Sequence, residues 1–346
     1  MNFVKQFFLV LSITGLTLAG LAGCATQFEA PKPETSTLVW PSAPEVPRVV
    51  FVQTLSRPAD LGISKNFFAR LVDIVFGETP ARLIRPMAVL DDGDMLYVAD
   101  PGAKGVHRFD KKAGKYDLIQ LANKQPMLSP VGLALGDKHS VWVTDSALGA
   151  VYLIKLGAEF AEPMALAEKL GQPTGIAFDA RLSKLFVADT TAHSIRVFGP
   201  GGTLLATIGK RGTDQGEFNY PTMLWHSLNG QLMVTDSLNF RTQIFDASGR
   251  FVTQFGRVGD STGDTPRQKG VATDRFGHIY VVDSVLHGVQ IFNESGQLLL
   301  SLGGLGEAPG EFRVPSGIFV GTDDMIYVAD AYNQRVQVFK YVGGAS

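Results

Sequence analysis

Six aspartates recur along this chain, each closing a short apolar run: MLYVAD to Asp100, VWVTD to Asp145, LFVAD to Asp189, LMVTD to Asp236, IYVVD to Asp283 and IYVAD to Asp330. Carboxylates in such a series are candidates for metal ligation or for general acid and base work. His193 and His287 each follow their aspartate by four residues, and imidazoles in equivalent places are candidates for a shared metal. Arg211, Phe240, Arg241, Tyr332 and Arg335 lie in the segments around the later aspartates, and arginine and aromatic side chains are the types that dominate binding hot spots. Other catalytic templates are missing: there is no G-x-S-x-G elbow, no P-loop and no HExxH. Cys24 is the one thiol in 346 residues.

The elements that must position these residues are repeated. Successive aspartates are 45, 44, 47, 47 and 47 residues apart. About fifteen residues before each lies a Pro and a small-apolar run, as in Pro173-Thr174-Gly175-Ile176-Ala177 and Pro315-Ser316-Gly317-Ile318; the fifth copy has Gln268-Lys269-Gly270-Val271-Ala272 instead. A third run follows each aspartate, from VHRF (106–109) to VQVF (336–339), and a fourth is clear in LLATIG (204–209), FVTQFG (251–256) and LLLSLG (298–303). Short apolar runs broken by Gly, Asp, Asn and Ser read as strands joined by turns. Four strands per unit of about 45 residues is the period of a propeller blade. One blade cannot bury both faces, whereas six in a ring bury them against each other. An all-β, six-bladed β-propeller follows.

The pattern Pro-x-Gly-Ile-Ala, then IYVAD, then Asn333-x-Arg335-Val336-Gln337-Val338-Phe339 is similar to the NHL repeat. The linkers Gly209 to Pro221 and Gly303 to Pro315, both of the form GxxxxxxGEFxxP, belong to the same pattern. The resemblance covers residues 83–339. Copies one and two depart from it, lacking the Asn and Arg after the aspartate. It implies a rigid frame whose loops between blades, with the turns after each aspartate, share one face. Loops on such a frame are where binding concentrates.

Within that frame most of the chemistry recedes. The same aspartate in every blade points to a structural role, accepting hydrogen bonds from nearby backbone. Propeller lyases of the amidating type, which share this repeat fold, use histidines on a central zinc. Here, positions two blades apart and about 10 Å from the axis stand about 17 Å from each other. Two ligands of one zinc need nitrogens within about 4 Å. His193 and His287 reach that gap only by both pointing inward, and no metal or other cofactor is expected. Six-bladed lactonases bind calcium near the axis, and Asn219, Asn239, Asn333, Asp236 and Asp283 are the nearest equivalents, though those families' motifs are missing. Arg211, Phe240, Arg241, Tyr332 and Arg335 remain as the expected contact residues, while Phe218 and Phe312 are expected to be buried.

The N-terminus reads as an address. Lys5 precedes an uncharged apolar stretch from Phe7 to Leu21, short for a spanning helix, which needs about 20 apolar residues. Leu21-Ala22-Gly23-Cys24 resembles the lipobox of bacterial lipoproteins, which implies cleavage before residue 24 and lipid on Cys24. Ala25 after it implies the outer membrane of a Gram-negative envelope. Residues 1–23 are thus the leader and 24–47, carrying Pro31, Pro33, Pro41, Pro44 and Pro47, a tether. Within 48–82, RVVFVQTL (48–55) is expected as the outer strand of the last blade, closing the ring, because the seven residues after Phe339 are too weak for a fourth strand. Ser64 to Gly77 reads as a short helix packed on the ring. The propeller itself occupies 83–346.

Composition bounds the function. With 45% hydrophobic residues the chain has the apolar content for a core, and 38 Gly argue against a coiled coil. Thirty-one basic residues against 33 acidic ones, net charge −2, give no footprint for nucleic acid. The expectation is a membrane-anchored, extracytoplasmic module that binds a protein, peptide or glycan, more a scaffold than an enzyme. The rival is a metal-dependent lyase or hydrolase at the central channel mouth.

Overall fold

A computed structural model describes residues 38–63 and 81–343. Cys24 and the Ser64–Gly77 segment lie outside the described residues.

Among the described residues six antiparallel sheets of four or five strands follow one another along the chain, with a two-stranded hairpin, Leu121–Ala122 and Gln125–Pro126, between the first and second. Blade 1 is Ala88–Asp91, Met95–Asp100, Gly105–Asp110 and Lys115–Ile119. Blade 2 is Pro130–Leu135, Val141–Asp145, Ala150–Ile154 and the stub Glu162–Pro163. Blade 3 is Pro173–Asp179, Lys184–Asp189, Ser194–Phe198 and Leu204–Ile208. Blade 4 is Pro221–His226, Leu232–Asp236, Arg241–Phe245 and Phe251–Phe255. Blade 5 is Gln268–Thr273, Ile279–Asp283, Gly288–Phe292 and Leu298–Gly303. Blade 6 begins with Pro315–Val320, Met325–Asp330 and Arg335–Tyr341. The first strands touch one another in sequence, and that of blade 6 touches that of blade 1, so the ring is shut. The chain is a six-bladed β-propeller.

The ring is closed by strand exchange between the chain's two ends. Val49–Leu55 pairs antiparallel with Arg335–Tyr341, from Val49 opposite Tyr341 to Leu55 opposite Val336. Val49 and Leu55 are buried, and Phe51 meets the Phe339 ring edge-on at 5.6 Å. Pairing covers an edge that would otherwise offer free N–H and C=O groups to other chains. Blade 6 also carries a fifth strand that composition hid: Val39–Trp40 pairs with Val49–Val50, and the Trp40 ring lies 5.6 Å from that of Phe339. The proline-rich stretch is therefore part of the propeller from Leu38 onward. Pro41, Pro44 and Pro47 sit in the hairpin loop between the two strands, where proline costs no ladder bond.

The Pro-x-Gly signature has a packing cause. A Cβ at Gly175 would stand 2.3 Å from the Thr222 carbonyl oxygen, and one at Gly132 would stand 2.2 Å from that of Thr174. At these boundaries the innermost strands of neighbouring blades approach too closely for a side chain, and Gly270 and Gly317 meet their neighbours in the same way. Blades 1 and 4 have Ala88 and Met223 there instead. Across the boundary from blade 2 to blade 3, Thr144 Oγ1 donates to the Thr174 carbonyl, whereas the equivalent hydroxyl of blade 4, Thr235 Oγ1, is buried without a partner.

Candidate functional site

One end of the ring, the aspartate face, carries the repeated carboxylates, the turns after them and the loops between blades. All six aspartates are buried. Each accepts backbone N–H groups from the loop entering its blade, at 2.6–3.1 Å: Asp100 from Ile84 and Arg85, Asp145 from Leu128 and Ser129, Asp189 from Gly171 and Gln172, Asp236 from Asn219, Asp283 from Arg267 and Asp330 from Arg313. Burial opposes charge on Asp100, yet hydrogen bonds from His107 and from backbone N–H groups outweigh it and hold the carboxyl below its ordinary value. These aspartates latch loops; they do not face a ligand.

The histidines latch loops too. His193 Nδ1 accepts the Tyr220 N–H at 3.2 Å, and His287 Nδ1 accepts that of Val314 at 3.1 Å. Both occupy the left-handed position that ends the turn, where Lys104, Gly149, Phe240 and Gln334 stand in the other blades, all with φ between 51° and 64°. Each histidine thus serves its own blade boundary. Among the described residues no group of three His, Cys, Asp or Glu is placed to hold a metal. Asn239 Nδ2 donates to Asp236 and to the Gly212 carbonyl, and Asn333 repeats this with Asp330 and Gly306, so these amides present donors to the carboxylates and are not arranged as calcium ligands.

Two of the expected contact residues are internal. Arg241 places Nε 2.9 Å from Asp236, Nη1 on Gln254 and Nη2 on the carbonyls of Asp214 and Glu217. Arg335 repeats this with Asp330 and the carbonyls of Glu307, Ala308 and Glu311. Both guanidiniums are buried and fully committed to folding the long loops before blades 4 and 6, which removes them from the contact set. The rings of Phe218 and Phe312, in those loops, are buried as expected. Arg211 is exposed, Phe240 half-buried and Tyr332 63% exposed. Phe240 and Tyr332 belong to the turns of blades 4 and 6, with blade 5 between them, so the expected residues do not form one patch.

The concavity that all six blades share opens on the opposite end, the hairpin face, where each first strand turns back. It is a funnel of about 400 Å³ on the axis, lined by the final residues of every first strand. Its shape follows from one position, the fourth residue after the Pro or Gln that opens each repeat. That residue is Leu90, Ala134, Ala177, Trp225, Ala272 and Phe319 in blades 1 to 6. The small Ala272 lets Trp225 and Phe319 meet over blade 5 with ring centroids 5.7 Å apart, edge to face. Trp225 Nε1 donates to Thr273 Oγ1 at 2.8 Å, which fixes the indole. Phe178 and Leu133 line the other wall, and Leu228, 70% exposed, stands at the lip. A second hollow, about 370 Å³, shares Leu228, Thr273 and Arg275 with the funnel and runs along the boundary of blades 4 and 5.

The rim is polar. Asp92 contacts His139 at 3.3 Å, Arg275 pairs with Asp324 at 2.7 Å, and Asp323 is exposed. His226 Nε2 lies 3.2 Å from Asp179 Oδ2. Burial lowers the His226 pKa; Asp179 pulls the other way and offsets this only in part, so the imidazole is biased toward its neutral form. An apolar funnel with a few charged groups at its lip is the usual form of a ligand site. Sequence reasoning missed it because its lining is dispersed over six repeats. The signal was present as a departure from the repeat: Trp225 and Phe319 stand where three other blades have alanine.

Residues 312–339 match the family model of the NHL repeat. The matched NHL repeat spans the end of the loop before blade 6 and that blade's first three strands. No curated protein matches the chain significantly. Among solved structures, virginiamycin B lyase from Staphylococcus aureus is similar at 14% identity over 75% of this chain and 96% of that one, with a TM-score of 0.55. An auxiliary nutrient binding protein from Bacteroides thetaiotaomicron is similar at 12% identity over 75% of this chain and 70% of that one, TM-score 0.59. A chain of a nidogen/laminin complex is similar at 17% identity over 73% and 92%, TM-score 0.51. At such identities the likeness is one of fold.

Proposed function

We propose that this protein is a binding module of the bacterial cell envelope, anchored by lipid on Cys24, which takes an apolar side chain of a peptide or protein partner into the axial funnel. The observation that carries the binding role is the funnel: a preformed concavity with Trp225, Phe319 and Phe178 half-buried in its wall and an exposed Leu228 at its lip. Aromatics held in place before binding cost little further entropy when a partner arrives. The neighbouring hollow between blades 4 and 5 gives room for the chain flanking the inserted side chain. Propellers of this fold include a nutrient-binding protein and a member of a nidogen/laminin complex, which fits recognition as the use of the frame. Anchoring rests on the Leu-Ala-Gly-Cys motif and the apolar leader before it.

Selection of displayed random peptides on the purified mature chain tests the site. Enriched peptides are expected to share a large apolar residue and to bind Leu228→Asp roughly tenfold more weakly, with Tyr332→Ala unchanged. Binding that ignores Leu228, or enrichment of glycans alone on a parallel array, overturns the assignment. Cys24→Ser is expected to move the protein from the membrane fraction to the soluble envelope fraction; retention overturns the anchor.

One observation favours a second reading, a lyase or hydrolase at the same mouth. His226, biased toward neutrality and with Nε2 3.2 Å from Asp179 Oδ2, has the chemistry of a proton acceptor. Stoichiometric zinc or calcium that survives dialysis, with turnover abolished in His226→Ala, would favour it.

A further inference from the structure

The charges that line the funnel are unevenly answered. Three carboxylates, Asp91, Asp92 and Asp323, and one guanidinium, Arg275, belong to its wall. Asp91 is matched: it accepts the Lys111 ammonium at 2.7 and 2.9 Å, and the Tyr327 hydroxyl as well. Arg275 is matched too, donating to Asp324 at 2.7 Å and lying over the Phe276 ring, 4.8 Å from its centroid. His226, the other titratable group in the wall, faces Asp179.

Asp92 and Asp323 are left over. Asp92 Oδ1 accepts the Met95 N–H at 2.7 Å, and Oδ2 lies 3.3 Å from the exposed imidazole of His139. Asp323 Oδ1 accepts the Met325 N–H at 3.3 Å. Neither carboxylate has a lysine or arginine partner among the described residues. The Asp92 side chain is 2% exposed, so water and salt screen its charge little.

The two stand on one side of the mouth. Asp92 is in the hairpin turn of blade 1 and Asp323 in that of blade 6, and the first strands of these blades touch. Blade 4, which supplies Trp225 and Leu228, is opposite blade 1 in a ring of six, with Phe178 in blade 3 beside it. The mouth is therefore apolar across blades 3 and 4 and negative across blades 6 and 1. A concave site lined by one sign of charge on low-dielectric walls focuses its field on an approaching ligand. An anionic ligand is repelled, and an uncharged apolar one uses only half of the mouth.

Resting on the reading of the funnel as a peptide site, we propose that the bound segment carries a lysine or arginine within two residues of the apolar side chain it inserts, its charge set against Asp92 and Asp323. Two residues are about 7 Å of extended chain, a short step across the mouth. Lysine and arginine suit that step, because an apolar stem carries the charge at its tip. Phe319, in the same blade as Asp323, extends the apolar wall under such a stem.

The probes are displayed random peptides selected on the purified mature chain, then the strongest binder as a synthetic peptide beside a copy with glutamine for each lysine and arginine. Enriched peptides are expected to carry Lys or Arg within two positions of the large apolar residue. By calorimetry the glutamine copy should bind roughly threefold or more weakly, as for a rim ion pair. Raising NaCl from about 0.05 to about 0.5 M should weaken the parent and spare the copy. The double variant Asp92→Asn, Asp323→Asn should weaken the parent and leave the copy unchanged, whereas Leu228→Asp should weaken both. Enrichment of the apolar residue without a basic neighbour, or equal binding of parent and copy, overturns the proposal and leaves the funnel reading standing. Equal binding of the parent to wild type and double variant does the same. Peptides indifferent to Leu228→Asp overturn both. If the double variant fails to fold, the two peptides on the wild type decide the matter.

Discussion

Trp225 and Phe319 meet edge to face across blade 5, centroids 5.7 Å apart, although 94 residues separate them in the sequence. Blade 5, between them, carries only the small Ala272 at the matching position. The contact makes the funnel wall continuous over two blade boundaries. A double-mutant cycle with Trp225→Leu and Phe319→Leu, read by urea unfolding, should show a coupling of about 0.5–1.5 kcal/mol, the range for aromatic pairs. Independent effects would mean the rings only happen to lie close.

Arg241 and Asp236 form a second such pair, buried at 2.9 Å, with the arginine also holding two loop carbonyls. Arg241→Met should cost roughly 3–5 kcal/mol, because it strands the Asp236 carboxylate away from water. Arg241→Lys restores the charge without the fork that reaches Asp214 and Glu217, so it should recover only part of the loss. Chemical denaturation of the three proteins measures the order.

Closure makes a prediction about the chain ends. A chain starting at residue 56 loses Val49 and Leu55, both buried, at roughly 1.5–3 kcal/mol each. It also uncovers Arg335–Tyr341 as an open edge. Lower stability together with concentration-dependent association in sedimentation is expected. A monomer of unchanged midpoint would show that the exchange is dispensable.

The His226–Asp179 pair links stability to pH. The folded His226 titrates below its usual value near 6.5, chiefly through burial, so the unfolded chain takes up the proton first as pH falls. Its stabilising contribution is therefore complete above that value and is lost on acidification through it. Asp179 is also lowered, with burial opposed by His226 and backbone donors, so its contribution is lost only at a lower pH, below the ordinary carboxylate value of 3.8. The urea midpoint should fall from pH 7.5 to pH 5.5 in the wild type and fall less in His226→Phe. Equal slopes would place the acid sensitivity elsewhere.

Sequence alone determined the blade count, the strand order and the closing strand. Period and pattern are local properties, and a blade that must bury both faces has few ways to do so. The burial of Phe218 and Phe312 and the structural use of the repeated aspartates were legible for the same reason. Which side chains remain available for binding was a different matter. Arg241 and Arg335 carry the residue type of a hot spot, yet the fold turns them inward, because a buried carboxylate five residues earlier and the loop carbonyls need their donors more than solvent does. His193 and His287 have the type of metal ligands, yet each answers a backbone N–H at its own blade boundary. The funnel draws its lining from residues spread over some 230 positions, among them Leu90, Ala134, Ala177, Trp225 and Phe319, and only closing the ring brings them around one axis. A repeat states what every blade shares; a site is built where the blades differ and face each other, and that opposition exists only in three dimensions.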